Sequence, residues 1–241
     1  MTDRTVVPFG AWSSPMTPEL LTERAVRLSE LRVVGGDVWW LESRPAEAGR
    51  QVVVRRSPDG TVVDVVPEGF SARTTVHEYG GGSYTVAGLR GPDGVARSTL
   101  VFSNFADQRL WAVEPGGAAG PRPLTPEPPE PAAWRYADAR ALPGADWLVA
   151  VRERHRGERA ADVVNDVVAV PAAGGDPLEL VSGHDFFAAP RPSPDGGRLA
   201  WLAWDHPNMP WDGTELWVAD LASGPAGSPT VSGHRLVAGG P

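Results

Sequence analysis

The sequence contains no cysteine and no lysine, and all 22 of its basic residues are arginine. Without cysteine, disulfides, thiolate catalysis and cysteine-based zinc sites are excluded, and the redox compartment is left open. There is no surplus of positive charge: the formal net charge is −8. No basic stripe is available to displace counterions from phosphates, so nucleic acid is not an expected partner. The N-terminal MTDRTVVPFGAWSSP lacks a continuous apolar run, and no segment approaches the ~20 apolar residues of a membrane span. A cytoplasmic protein without a membrane partner is the expectation.

Catalytic signatures are missing as well. Ser83 follows three glycines, but Thr85 stands where the closing glycine of a Gly-x-Ser-x-Gly elbow belongs, and a strand is expected there in place of the required helix. There is no HExxH helix and no EF-hand loop, and the five histidines are too dispersed to specify a metal site. The chain is therefore expected to hold no metal or cofactor and no hydrolytic active site of its own.

What is present is a repeat. The 28 glycines and 25 prolines among 241 residues fall in short clusters between apolar runs, the punctuation of many short strands. The clearest copy runs from His184 to Gly239 as FFAAPRP, the turn SPDGG, RLAWLAW, a long loop, ELWVADL and HRLVAG. An earlier copy reads LSELRVV, DVWWLES, QVVVRR, the turn SPDG and TVVDVV. Two more lie between them, from SYTVAG to RPLT and from RYADARAL to PLELVS. Four strands per copy in meander order, repeated four times, predict an all-β fold: a β-propeller array of about four four-stranded antiparallel blades. The expected divisions are a leader over 1–27 with a short helix, then a partial propeller over 28–241, with blades near 28–67, 77–125, 134–182 and 184–239.

The leader helix is expected over Pro18 to Val26, with Thr17 as its N-cap. Trp39, Trp40, Trp111, Trp147, Trp201, Trp204 and Trp217 fall in second or third strands, where they are expected to fill space between neighbouring sheets. The proline-rich stretch Pro121 to Ala133 reads as an extended connection between blades.

In a four-stranded meander, the second-to-third strand loops and the crossings between blades emerge on one face. That face is predicted to collect HEYGGGSY (77–84), NFADQR (104–109), RERHRGERAADVVN (152–165), HDFF (184–187) and DHPNMPWDGTE (205–215), as loops gathered at a propeller mouth do. His77 and His184 are read as bonding neighbouring loops or contacting a ligand. Glycines 80–82 are read as allowing a sharp crossing near the axis.

HEYGGG, SNFADQRLW, VSGHDF, SPDGGRLAW and DHPNMPWDGTELW together resemble the N-terminal propeller of prolyl oligopeptidase family serine peptidases, in particular the dipeptidyl aminopeptidase, acylaminoacyl-peptidase and puromycin-hydrolysing members. The resemblance implies a hydrolase of short peptides or aminoacyl amides, whose seven- or eight-bladed propeller, of which this chain is a part, caps and gates a C-terminal α/β-hydrolase domain that holds the whole catalytic triad. It also implies that this chain, stopping after four blades, is inactive alone. Because a propeller carboxylate can hold a substrate ammonium in such enzymes, Glu78, Glu153, Asp205 and Asp212 are the implied candidates. Tyr79, His206, Asn208 and Trp211 complete the expected substrate-binding set. Two other readings remain open from the residues: a stand-alone propeller that scaffolds partners, and a metal-dependent, lactonase-like propeller enzyme.

Overall fold

The computed structural model describes residues 6–11, 16–17, 25–90, 94–157, 159 and 162–240. The helix expected over Pro18 to Val26 lies outside the described residues apart from Ala25 and Val26. Among the described residues there are sixteen strands. The first sheet comprises β1 (Arg27–Val34), β2 (Asp37–Arg44), β3 (Arg50–Arg56) and β4 (Val62–Asp64). The second comprises β5 (Tyr84–Arg90), β6 (Ala96–Ser103), β7 (Leu110–Val113) and β8 (Arg122–Pro123). The third is β9 (Trp134–Ala141), β10 (Trp147–His155), β11 (Val163–Pro171) and β12 (Leu178–Val181). The fourth is β13 (Phe186–Pro192), β14 (Arg198–Trp204), β15 (Glu215–Ser223) and β16 (Pro229–Ala238). Each sheet pairs its strands in chain order, all antiparallel. These are the four-stranded meanders of a β-propeller.

The turns follow from their residues. In SPDGG, Asp195 Oδ1 accepts the Gly197 N–H at 3.0 Å, and Gly196 takes φ +73, a left-handed conformation that glycine adopts without a Cβ penalty.

Side-chain alternation explains the solid apolar runs. In β6, Leu100 and Phe102 face the core shared with the first sheet, whereas Val101 faces the core shared with the third. In β10, Leu148 and Ala150 point toward the second sheet and Val149 and Val151 toward the fourth. Strands buried on both faces have no polar face to show, so they read as continuous hydrophobic stretches. Trp39 and Trp201 lie wholly inside two of these cores. The outer faces differ: Leu28, Leu31 and Val33 of β1 are exposed, as are Leu236 and Val237 of β16.

Short polar ties join the inner strands of successive sheets. β1, β9 and β13 each carry a β-bulge centred on a non-glycine residue of positive φ: Glu30 (50), Asp138 (56) and Ala189 (51). The Glu30 carboxylate accepts from the Ser83 N–H and hydroxyl. Asp138 accepts from the Gly82 N–H at 3.2 Å and from the Ala189 N–H at 3.1 Å, tying the second, third and fourth sheets together. The close passage explains the glycine run: a Cβ on Gly82 would stand 2.4 Å from Asp138 Oδ1.

Candidate functional site

A pocket of about 730 Å³ opens on the rim where the crossing into the second sheet, the β10–β11 hairpin, the start of β13 and the β14–β15 loop meet. That volume is in the range of small-molecule sites. The crossing is held by its backbone: the Thr75 N–H donates to Gln108 Oε1 at 2.8 Å and the His77 N–H to Glu153 Oε2 at 2.8 Å. His77 and Glu78 have φ of 56 and 65. Two consecutive non-glycine residues in the left-handed region are strained, and the reversal they make presents both side chains to the pocket.

One side of the pocket is polar. Glu153, on β10, is only 2% exposed. Its Oε1 accepts from Arg135 Nη1 at 3.2 Å and lies 2.7 Å from His155 Nε2, so with the His77 N–H it has three partners. This saturation is what a buried carboxylate requires. Glu78 is bound by the same guanidinium, at 2.7 Å from Arg135 Nη1, but its side chain is 76% exposed. Glu78, Glu153 and His155 bring one ligand-type atom each within 4.8 Å of one another. Arg135 already engages one oxygen of each carboxylate, which places a fixed positive charge where a metal cation would sit. The donor set does not fit a metal.

The opposite side is aromatic. Phe186 and Trp204 stack with ring centroids 5.2 Å apart and an interplanar angle of 11°. His77 meets both edge-on at 5.3 and 5.4 Å, and His206 meets Phe186 at 4.9 Å. Burial holds the His77 pKa below the usual imidazole value, against the pull of Glu153 and Asp138. The ring is therefore neutral at physiological pH, which suits an apolar wall.

The long β14–β15 loop is braced by carboxylates. Asp205 Oδ2 lies 2.8 Å from His184 Nδ1, and its Oδ1 accepts the Asp185 N–H at 2.6 Å. Asp185 returns the contact by accepting the His206 N–H at 2.9 Å. A four-residue helix, α1 (Pro210–Gly213), follows, and Asp212 accepts the Met209 N–H at its start.

Of the eight expected substrate-binding residues, Glu78, Tyr79, Glu153, His206 and Asn208 line the pocket, and Asp205, Trp211 and Asp212 do not. Asp205 and Asp212 shape the loop, whereas Trp211 stands exposed beside it. His184 bonds neighbouring segments, with Nδ1 2.8 Å from Asp205 and Nε2 4.0 Å from Glu215. Arg135, His155, Phe186 and Trp204 also line the pocket, and sequence reasoning did not single them out as site residues. Phe186 and His155 lay within loops read as part of the rim. Trp204 is both a packing residue and a wall, and Arg135 sits one residue into a strand with no local signal.

No profile of a known family matches the chain, and no curated protein sequence does. Among solved structures, a puromycin-hydrolysing peptidase of Mycobacterium tuberculosis is 40% identical over 98% of this chain, with a TM-score of 0.84. A puromycin hydrolase is likewise 40% identical, over 99% of the chain, with a TM-score of 0.83. TolB from Acinetobacter baumannii, at 12% identity over 86% of this chain and 43% of its own, with a TM-score of 0.53, shares the fold alone. The chain spans 36% of the length of the two peptidases. Together with the four-sheet meander and its rim, these matches make the chain homologous to the propeller portion of the puromycin-hydrolysing peptidases of the prolyl oligopeptidase family.

Proposed function

We propose that this chain is the non-catalytic, substrate-gating propeller portion of a serine aminopeptidase or oligopeptidase acting on short peptides or aminoacyl amides. The catalytic serine, aspartate and histidine belong to an α/β-hydrolase domain that the propeller faces. The observation that carries the reading is the rim pocket itself, which sets an acidic side around Glu78, Arg135 and Glu153 against an aromatic side of Phe186, Trp204 and His77. An aminoacyl group has the complementary form, with an ammonium at one end and a side chain at the other.

Within this reading the two carboxylates divide the work. Glu153 is saturated by His77, Arg135 and His155, so it positions the crossing and the guanidinium. Glu78 is exposed and has Arg135 as its hydrogen-bond partner, so it can exchange that contact for a substrate ammonium. Hydrolysis of an aminoacyl p-nitroanilide tests the assignment. The 241-residue chain releases no nitroaniline, and the same chain continued by the remaining blades and an α/β-hydrolase domain does; turnover by the 241-residue chain contradicts it.

A further inference from the structure

The bulges of the inner strands carry a second repeated feature. In each bulged strand the first residue to resume pairing is an arginine: Arg32 opposite Trp39, Arg140 opposite Val149 and Arg191 opposite Ala200. Each follows its left-handed residue by two positions, in the segments SELR, ADAR and AAPR. The second sheet has no bulge, and its unbroken register sets the buried Thr85 opposite Val101. A bulge re-aims the side chains that follow it, and here three strained bulges place the same residue type on the inner strands of the first, third and fourth sheets.

The ties from Glu30 to Ser83, and from Asp138 to Gly82 and Ala189, join the inner strands two residues before each arginine. Burial, and after it the charges of Arg32 and Arg191, push Arg140 down to about 10, and it stays charged at neutral pH. Arg32 lies 4.9 Å over the Tyr84 ring, and its Nε is buried without a hydrogen-bond partner. Arg140 Nη1 and Arg191 Nη1 each donate to the carbonyl of the preceding residue, at 2.7 and 2.9 Å. Among the described residues neither has a carboxylate within ion-pair distance. A guanidinium carries five N–H donors, so most of theirs are uncommitted.

Two carboxylates, Glu30 and Asp138, stand beside the three guanidiniums and offset only part of their charge. Glu30 approaches Arg32 at 3.7 Å but accepts from Ser83, and both oxygens of Asp138 are taken by backbone N–H groups. Like charges gathered with free donors, at a recurring strained position, are costly unless something negative meets them.

We propose that Arg32, Arg140 and Arg191 form an oxyanion-binding site on the inner strands, for a carboxylate or phosphate group. The site stands apart from the rim pocket. Arg135 and Phe186 line the pocket, and Arg140 and Arg191 follow them on β9 and β13 by five positions that, across each bulge, span four positions of the partner strand, roughly 13 Å. It is independent of the peptidase reading, since neither Glu78 nor the aromatic wall takes part.

Titration of the 15N-labelled chain, following the arginine Nε–Hε resonances at low ionic strength, tests it. The probes are inorganic phosphate, N-acetyl-alanyl-alanine with its free carboxylate, and the corresponding dipeptide amide. The expected result is a saturable shift of the Arg32, Arg140 and Arg191 signals with phosphate or with the free-carboxylate peptide, and none with the amide. A response to phosphate alone assigns a phosphate-bearing ligand, and a response to the peptide acid assigns a carboxylate. Arg140→Gln should weaken binding at least fivefold, whereas Arg56→Gln, in β3, should leave it unchanged. Arg191 is exposed, so Arg191→Gln decides the matter if Arg140→Gln does not fold. No saturable shift with either anion, or the same affinity in Arg191→Gln, overturns the assignment.

Discussion

Replacing Gly82 by alanine tests how the sheets are joined. Gly82 is not in the left-handed region, so alanine brings no backbone strain there; what it brings is a methyl group 2.4 Å from Asp138 Oδ1. The carboxylate must move, and moving it breaks its contacts with the Gly82 N–H at 3.2 Å and the Ala189 N–H at 3.1 Å. Each hydrogen bond to a charged group is worth about 1.5–3 kcal/mol, so loss of both predicts a destabilisation of about 3–6 kcal/mol. Urea unfolding of Gly82→Ala, Asp138→Ala and the double variant measures it. With Asp138 already truncated the methyl has space, and adding Gly82→Ala should then cost less than about 1 kcal/mol. Equal costs in both backgrounds would show that Asp138 is not what the glycine makes room for.

Two other positions give separate tests. Asp166 is wholly buried and accepts from Arg152 Nε and Nη2 at 3.0 and 2.6 Å and from Arg154 Nη2 at 2.6 Å; Asp166→Asn leaves Arg152 buried and uncompensated, and should lower the unfolding free energy by about 3–5 kcal/mol. Burial depresses the His77 pKa below its unfolded value near 6.5, so its contribution is fully present above that pH and is lost as pH falls toward the folded pKa. Chemical denaturation between pH 7.5 and about 5 should therefore show a shallower loss of stability in His77→Phe than in the parent chain, and parallel curves would contradict the burial of a neutral imidazole.

Much of this architecture is legible in the residues because the physics behind it is local. Two-sided burial writes itself as runs such as LVAV and DVVAV, and tight turns write themselves as SPDG, so sheet number and strand order are readable. The convergence of 77–84, 152–165, 184–187 and 205–215 on one rim follows from meander topology once the strands are placed. The side-chain partnerships do not. Asp205 and Asp212 look like Glu78 in sequence, but their carboxylates are consumed by the His184 ring and the Asp185 N–H in one case and by the Met209 N–H in the other. Arg135 meets Glu78 across 57 residues of chain, a pairing without a local pattern. The arginine cluster escaped notice for a different reason: its repeat, Arg two positions after a bulged residue, becomes visible only when positive φ values and strand register are known.

The measurement closest to the central claim is isothermal titration of the chain with phenylalaninamide and with its N-acetyl derivative. If the rim pocket seats an aminoacyl group with its ammonium at Glu78 and its ring against Phe186 and Trp204, the free amine binds at least fivefold more tightly than the acetylated compound, and Glu78→Gln abolishes the difference. Equal binding of the two compounds, or a preference that survives Glu78→Gln, would contradict the account.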